Sequence, residues 1–223
     1  MSQNPSMTDR AYGDIKGKVL AGTYAPGAHF EAGQLADDLG MSRTPVREAL
    51  LRLQSEGILE VVAKKGVRII PLSAGDLQDV YQIITGLEVE AVGNLARLRL
   101  TDEALAPLFR ATAAMQASVA DGSIDGWSMA DEQFHRSLFD LSGNARLAAE
   151  GHRYRDLAQR AHFVALRLVD AEQKRRSVKS HTDLIKVIRS ADEAKARQLH
   201  FEQRRRGGRL LVNIVKKYGL NLL

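Results

Sequence analysis

The run Leu35-Ala-Asp-Asp-Leu-Gly-Met-Ser-Arg-Thr-Pro-Val-Arg-Glu-Ala-Leu50 constrains the chain most, because it reads as two short helices joined at a Gly40 turn. That pattern predicts a helix-turn-helix. Val46, Ala49, Leu50 and Leu53 recur at i, i+3, i+4 and i+7, one apolar stripe, which turns Arg43 and Arg47 onto a different face near the start of the second helix. Ser42 or Thr44 can cap that helix, and Pro45 falls in its first turn, where a missing N–H costs little. In such a motif the start of the second helix meets base edges in the major groove, and an arginine fork matches the O6 and N7 acceptors of guanine. Direct readout of double-stranded DNA is the expectation.

Beyond Gly57, Leu59/Val61 and Val67/Ile69 alternate as in two paired strands, with Ala63-Lys64-Lys65-Gly66 between them. This predicts a β-hairpin wing whose tip carries Lys64 and Lys65 toward DNA phosphates or a minor groove. Charge alone does not locate that surface. Residues 1–72 hold nine Lys and Arg against eight Asp and Glu, so most of the chain's net charge of +5 lies further on. Arg204, Arg205 and Arg206 read there as a solvated helix face.

The order Tyr24-Ala-Pro-Gly27, Leu35-Ala36, Ser42 to Leu50, Leu53, Glu56-Gly57 and Lys65-Gly66 resembles the DNA-binding domain of the GntR family of bacterial transcription regulators over about residues 11–72. The resemblance implies a winged helix-turn-helix with Ser42, Arg43, Thr44, Arg47, Lys64, Lys65 and Gly66 at the DNA. Gly33 departs from it, since several relatives carry a basic or polar residue there that touches the phosphate backbone.

With 223 residues, 44% of them hydrophobic, the chain suits one or two domains. The lack of cysteine excludes disulfides and thiolate metal sites, and no apolar run reaches the length of a membrane span. The start Met-Ser-Gln-Asn-Pro-Ser reads without a signal peptide, so a cytoplasmic protein is expected. A boundary falls near Pro71–Gly75, giving a DNA-binding domain over 1–72 and an all-helical effector-binding and dimerisation domain over 73–223. Breaks at Thr101-Asp102, Asp121–Gly126, Ser142–Asn144, Asp170 and Ala191-Asp192 divide the second part into about six helices. The fold class is therefore mainly α, with a small β-hairpin as its wing.

Within the bundle, Asp131 and His135 stand four residues apart and leave one helix face together, as oxygen and nitrogen ligands to one ion would. His181, on a later helix, can face them. Leu87-Glu88, Asp131-Glu-Gln-Phe-His135, Gly143-Asn144, His181 and Asp192 resemble the FCD effector domain of the FadR-like branch of GntR regulators, over about residues 76–215. The resemblance implies a divalent metal held by Asp131, His135 and His181. The family's third histidine position falls at Gln203, with His200 three residues earlier, so either could supply a fourth ligand. Nitrogen and oxygen ligands favour zinc, nickel or manganese over magnesium or calcium. The family's frequent effector-holding arginine, three residues after Tyr81, is Ile84 here.

These features predict a regulator, read as a repressor, whose affinity for its operator is controlled by a small-molecule effector. The resemblance implies a carboxylate as that effector, which a divalent cation with nearby arginines suits. One short recognition helix covers only a few base pairs, so a homodimer on a roughly palindromic operator is expected. The rival is a metal-dependent enzyme with a nucleic-acid-binding accessory domain, against which stands the lack of any nucleophile motif or phosphate loop.

Overall fold

Ser6 starts the first helix, α1 (Met7–Leu20), its hydroxyl accepting the Asp9 N–H at 3.0 Å. The computed structural model describes residues 5–63, 65–71 and 73–218, and for residues 160–167 the backbone only. The chain divides after Ala74 into two units, the second beginning at Gly75.

In the first unit, Ala11, Ile15 and Val19 form the buried face of α1, which packs on α3 (Arg43–Ser55). The short α2 (Ala32–Asp38) leads into α3 through a turn in which Gly40 takes φ +62°, a left-handed conformation that glycine adopts at little cost. Val46, Ala49, Leu50 and Leu53 are all buried, as the periodicity requires. Ser42 occupies the N-cap of α3 with extended backbone, yet its side chain makes no capping hydrogen bond, contrary to the expectation. Outside this core, Glu56 accepts from Lys16 Nζ at 2.8 Å and from the Tyr12 hydroxyl at 2.8 and 2.9 Å, fastening α1 to the end of α3.

The wing is wider than a hairpin. Strands β2 (Leu59–Val62) and β3 (Gly66–Ile69) pair antiparallel with Leu59 opposite Ile69 and Val61 opposite Val67. A third strand, β1 (His29–Phe30), pairs with the other edge of β3, giving the order β1-β3-β2. Leu59, Val67 and Ile69 reach the core, whereas Val61 remains exposed and its N–H donates to Gln54 Oε1 at 2.7 Å. Gly66 has φ +85°, and a Cβ there would stand 2.1 Å from the Phe30 carbonyl oxygen. Gly66→Ala is expected to cost about 1–3 kcal/mol through backbone strain, before any clash is counted. A urea-unfolding midpoint equal to wild type would contradict this.

Among the described residues the second unit holds six helices: α4 (Ala74–Leu98), α5 (Ala106–Asp121), α6 (Ile124–Asp140), α7 (Ala145–Arg167), α8 (Ala171–Arg189) and α9 (Glu193–Lys217). Their ends carry capping chemistry. Gly122 closes α5 at φ +70°, and the side chains of Ser123, Asp170 and Asp192 accept the N–H groups of Gly126, Gln173 and Lys195 to start α6, α8 and α9. Val92 and Leu95 of α4, Leu108 of α5, Phe134 and Leu138 of α6, and Leu184 and Ile188 of α8 share one apolar cluster. A Cβ at Gly151 would meet the Phe139 ring at 2.5 Å, so the glycine lets α7 approach α6 closely.

Candidate DNA-reading face and buried histidine–carboxylate centre

Ser42, Arg43, Thr44 and Arg47 are all exposed at the start of α3, opposite the stripe that packs into the core. The guanidinium of Arg43 lies across Gly33, where a Cβ would touch Nη2 at 3.5 Å. Lys65 is exposed beside the wing turn, its N–H donating to the Val62 carbonyl at 3.0 Å. Lys64 lies outside the described residues. Gly66 is partly buried against β1.

In the helical unit, the buried face of α6 presents Trp127, Asp131 and His135 at successive turns. Asp131 is 4% exposed, which settles that it is not a helix-surface charge. His181 of α8 meets them: its Nε2 lies 3.4 Å from His135 Nε2 and 3.5 Å from Asp131 Oδ1, and His135 Nε2 lies 3.9 Å from Asp131 Oδ2. The other ring nitrogens assign the tautomers. His181 Nδ1 lies 2.7 Å from the Ser177 carbonyl oxygen, which can only accept, so Nδ1 carries the proton. His135 Nδ1 lies 3.0 Å from Glu88 Oε2 and donates to it in the same way. Both Nε2 atoms therefore turn lone pairs toward one another and toward a carboxylate. Two nitrogens bound tetrahedrally at about 2.05 Å to one ion stand about 3.4 Å apart, so the spacing suits a shared cation.

Glu88 of α4 is the hub behind this cluster. Fully buried, it accepts from His135 Nδ1 at 3.0 Å, His200 Nε2 at 2.9 Å and Arg155 Nη1 at 2.9 Å, and pairs with Arg204 Nε at 3.1 Å. Burial alone would raise its carboxyl, but Arg204 and His135 hold it well below the usual range, so it is ionised. Burial pushes His135 down to about 3 against the opposing pull of Glu88, and it lowers His181 as well. Both rings are neutral, as metal ligands must be. Arg155 joins Glu88 to Glu132, and Arg136 links Glu132 at 2.8 Å to Asp156 at 2.5 Å, extending the ion chain along α6 and α7.

His200 and Gln203 stand beside the triad. His200 directs Nε2 to Glu88, and its Nδ1 lies 3.3 Å from Gln203 Oε1, while Gln203 Nε2 donates to the Ser180 carbonyl at 2.9 Å. Arg204, read from the sequence as part of a solvated face, is instead 7% exposed. Its position on α9, one residue beyond Gln203, turns it inward over the Tyr81 ring at 5.4 Å. A cavity of about 510 Å³ opens onto Asp131, His135, His181, Arg204, Gln203 and Trp127. Arg204 Nη1 lies 3.4 Å from His135 Nε2, whereas Nη2 has no hydrogen-bond partner among the described residues. Glu88, Arg155 and Arg204 were not picked as site residues from the sequence; the Leu87-Glu88 pair was the one local signal.

A winged helix-turn-helix carried on the same chain as a helical unit with a buried histidine–carboxylate centre and an adjoining cavity defines a ligand-responsive DNA-binding regulator. Residues 7–69 match the family "Bacterial regulatory proteins, gntR family", and residues 79–203 match the FCD domain. The Nta operon transcriptional regulator of Aminobacter aminovorans is 35% identical over 187 residues, 81% of this chain and 86% of its own length. The transcriptional repressor GlaR of Escherichia coli is 27% identical over 191 residues, 83% of this chain and 86% of its own. The solved structure of E. coli McbR/YncC shares the fold at a TM-score of 0.80 and 24% identity, covering 96% of this chain and 100% of that one. The chain belongs to the GntR family of transcription regulators, with an FCD effector domain. It is a DNA-binding regulator and not an enzyme, and no helix among the described residues is long and apolar enough to cross a membrane.

Proposed function

We propose that the protein is a cytoplasmic homodimeric repressor that holds a divalent metal and releases its operator on binding a carboxylate. Residues 1–72 read DNA through Ser42, Arg43, Thr44 and Arg47, with Lys64, Lys65 and Gly66 of the wing on the backbone and minor groove. Residues 73–223 sense the effector and carry the dimer contact. The observation that carries the sensing role is the pair of Nε2 lone pairs from His135 and His181, 3.4 Å apart beside Asp131, with Arg204 lining the same cavity.

Asp131, His135 and His181 would hold zinc, nickel or manganese, and the ion would supply a Lewis-acidic anchor for an acid. His200 is committed to Glu88, and Gln203 to His200 and Ser180, so the reading keeps three protein ligands and leaves the remaining positions to solvent or effector. Arg204 adds a fixed positive charge for the carboxylate. Glu88 and Ser177 do the orienting, since each holds a ring by its Nδ1–H.

The DNA half of the reading is tested by operator titration. Arg43→Ala and Arg47→Ala should each weaken specific binding by about 1–3 kcal/mol with the circular dichroism spectrum retained. Lys65→Ala should weaken all DNA sequences alike and lower the salt slope by about one unit. Sedimentation of the wild-type complex should give two chains per operator. Arginine variants with wild-type affinity, or one chain on a single half-site, would refute the reading face or the dimer respectively.

A further inference from the structure

The second half of α9 carries charge that no acid of its own balances. From Gln203 to Leu223 the sequence holds six Lys and Arg and no Asp or Glu. Arg204 turns inward, but Arg205, Arg206, Arg209, Lys216 and Lys217 are all exposed, and none of them makes an ion pair among the described residues. On α8 the surface cations are neutralised where they stand: Arg175 and Arg176 pair with Glu172 at 3.2 and 3.1 Å, Lys179 and Lys186 with Asp183 at 2.6 and 3.2 Å, and Arg189 with Asp102 at 2.8 Å. Arg205, Arg209 and Lys216 follow at i, i+4 and i+11, so they leave α9 along one stripe about 40° wide over a rise of about 17 Å. The stripe faces away from Leu211 and Val215, which are buried, and the Arg205 guanidinium rests over the exposed Phe201 ring at 5.5 Å from its centroid. The pull of a helix C-terminus on cations accounts for Lys216 and Lys217 in the last turn, but not for Arg205, Arg206 and Arg209 two or more turns upstream. Like charges at i, i+4, as at Arg205 and Arg209, weaken a helix, and an anion laid across both removes that penalty.

We propose that this stripe is a second, sequence-independent DNA-binding surface, which grips the phosphates of a duplex through Arg205, Arg209 and Lys216, with Arg206 and Lys217 beside them. Over about 17 Å of axis one strand of a duplex presents about five phosphates, enough to meet all five cations. The planar guanidinium fork suits phosphate oxygens better than a point charge does. The winged helix-turn-helix on the same chain holds duplex DNA, so α9 meets that duplex at a raised effective concentration. A bilayer is the poorer fit for these charges: the apolar side of α9, with Leu211, Val212 and Val215, is already buried within the unit and cannot insert among lipids. Phosphate contacts read no base edge, so they add affinity and salt dependence on any sequence and leave the choice of operator to the first unit.

The test titrates a random-sequence duplex several helical turns long with the full-length protein, by fluorescence anisotropy, from about 50 to 200 mM salt. The triple variant Arg205→Gln, Arg209→Gln, Lys216→Gln should lower the slope of log affinity against log salt by about two to three units and weaken binding about tenfold or more at the low-salt end. Each single substitution should lower the slope by about one unit, which keeps the test decisive if the triple variant fails to fold. A control with the same loss of charge, Arg175→Gln, Lys179→Gln, Arg189→Gln, removes cations that already face acids and should change the slope by less than about one unit. In a chain whose first unit is disabled by Arg43→Ala, Arg47→Ala and Lys65→Ala, a slope of about two to three units should survive and disappear when the α9 substitutions are added. A wild-type slope in the α9 triple variant, or an equal fall in the control, would overturn the surface while leaving the winged helix-turn-helix reading intact. Phosphatidylglycerol vesicles should not sediment the wild type at salt where the duplex still binds. Vesicle capture that the α9 triple variant loses, with its DNA slope unchanged, would assign the stripe to a membrane and overturn the proposal.

Discussion

Glu88→Leu should destabilise the helical unit by about 3–5 kcal/mol, the largest single-residue effect expected in this protein. The carboxylate is the shared partner of Arg155 Nη1 at 2.9 Å, Arg204 Nε at 3.1 Å and two imidazoles, all within a buried centre. Removing one side of a buried ion pair strands the other, and the stranded charge, not the lost attraction, sets the cost. Arg155 keeps Glu132, so Arg204 carries most of the penalty. Glu88→Gln retains an acceptor and the side-chain volume and should lose less than Glu88→Leu. Urea denaturation of the full chain, followed by circular dichroism, measures both. A Glu88→Leu variant within 0.5 kcal/mol of wild type, the usual range for a surface substitution, would show that the carboxylate is not the hub that its contacts indicate.

His181→Ala should remove bound metal altogether, from about one ion per chain to none, because two remaining protein ligands make a poor site. The same substitution should blunt the effector response and leave operator affinity without effector near wild type, since Arg43 and Arg47 belong to the other unit. The response itself is expected to be about 1–3 kcal/mol, and reciprocal: the effector weakens operator binding by the factor by which operator weakens effector binding. Elemental analysis of the purified protein and paired titrations with and without operator decide this. A wild type that carries no metal yet responds fully to acid would remove the metal from the mechanism, and a full response in His181→Ala would remove the cavity.

The parts of this protein that were legible in the sequence are those whose signal is local. The stripe Val46, Ala49, Leu50 and Leu53 needs only helical period to reveal which face of α3 is buried, and the exposed arginines follow by subtraction. The breaks between the six helices were legible because capping residues and glycines punctuate them. Strand β1 is two residues long, too short for any alternation, and exists because β3 offers it an edge. Asp131 and His135 could be paired because one helix carries both. Glu88 could not be found that way: its partners come from α6, α7 and α9, at separations running from 47 residues (His135) to 116 (Arg204, 204 − 88) in the chain. Arg204 sits in an Arg-Arg-Arg run that reads as solvent-facing, and only the turn of α9 that also carries His200 distinguishes it from its neighbours.

The hydrogen bond from the Val61 N–H to Gln54 bears on how this protein stays dispersed. β2 lies at the end of the sheet order, and a strand in that position offers its outward N–H and C=O groups to any other extended chain. Val61 is an exposed apolar residue on that strand, so the wing combines an open edge with a greasy side chain, the pairing that seeds edge-to-edge aggregation. Gln54 covers the Val61 donor at 2.7 Å from within the same unit. The side-chain amide thus acts as a substitute neighbour strand one residue long, guarding against self-association at a surface that must stay open to DNA.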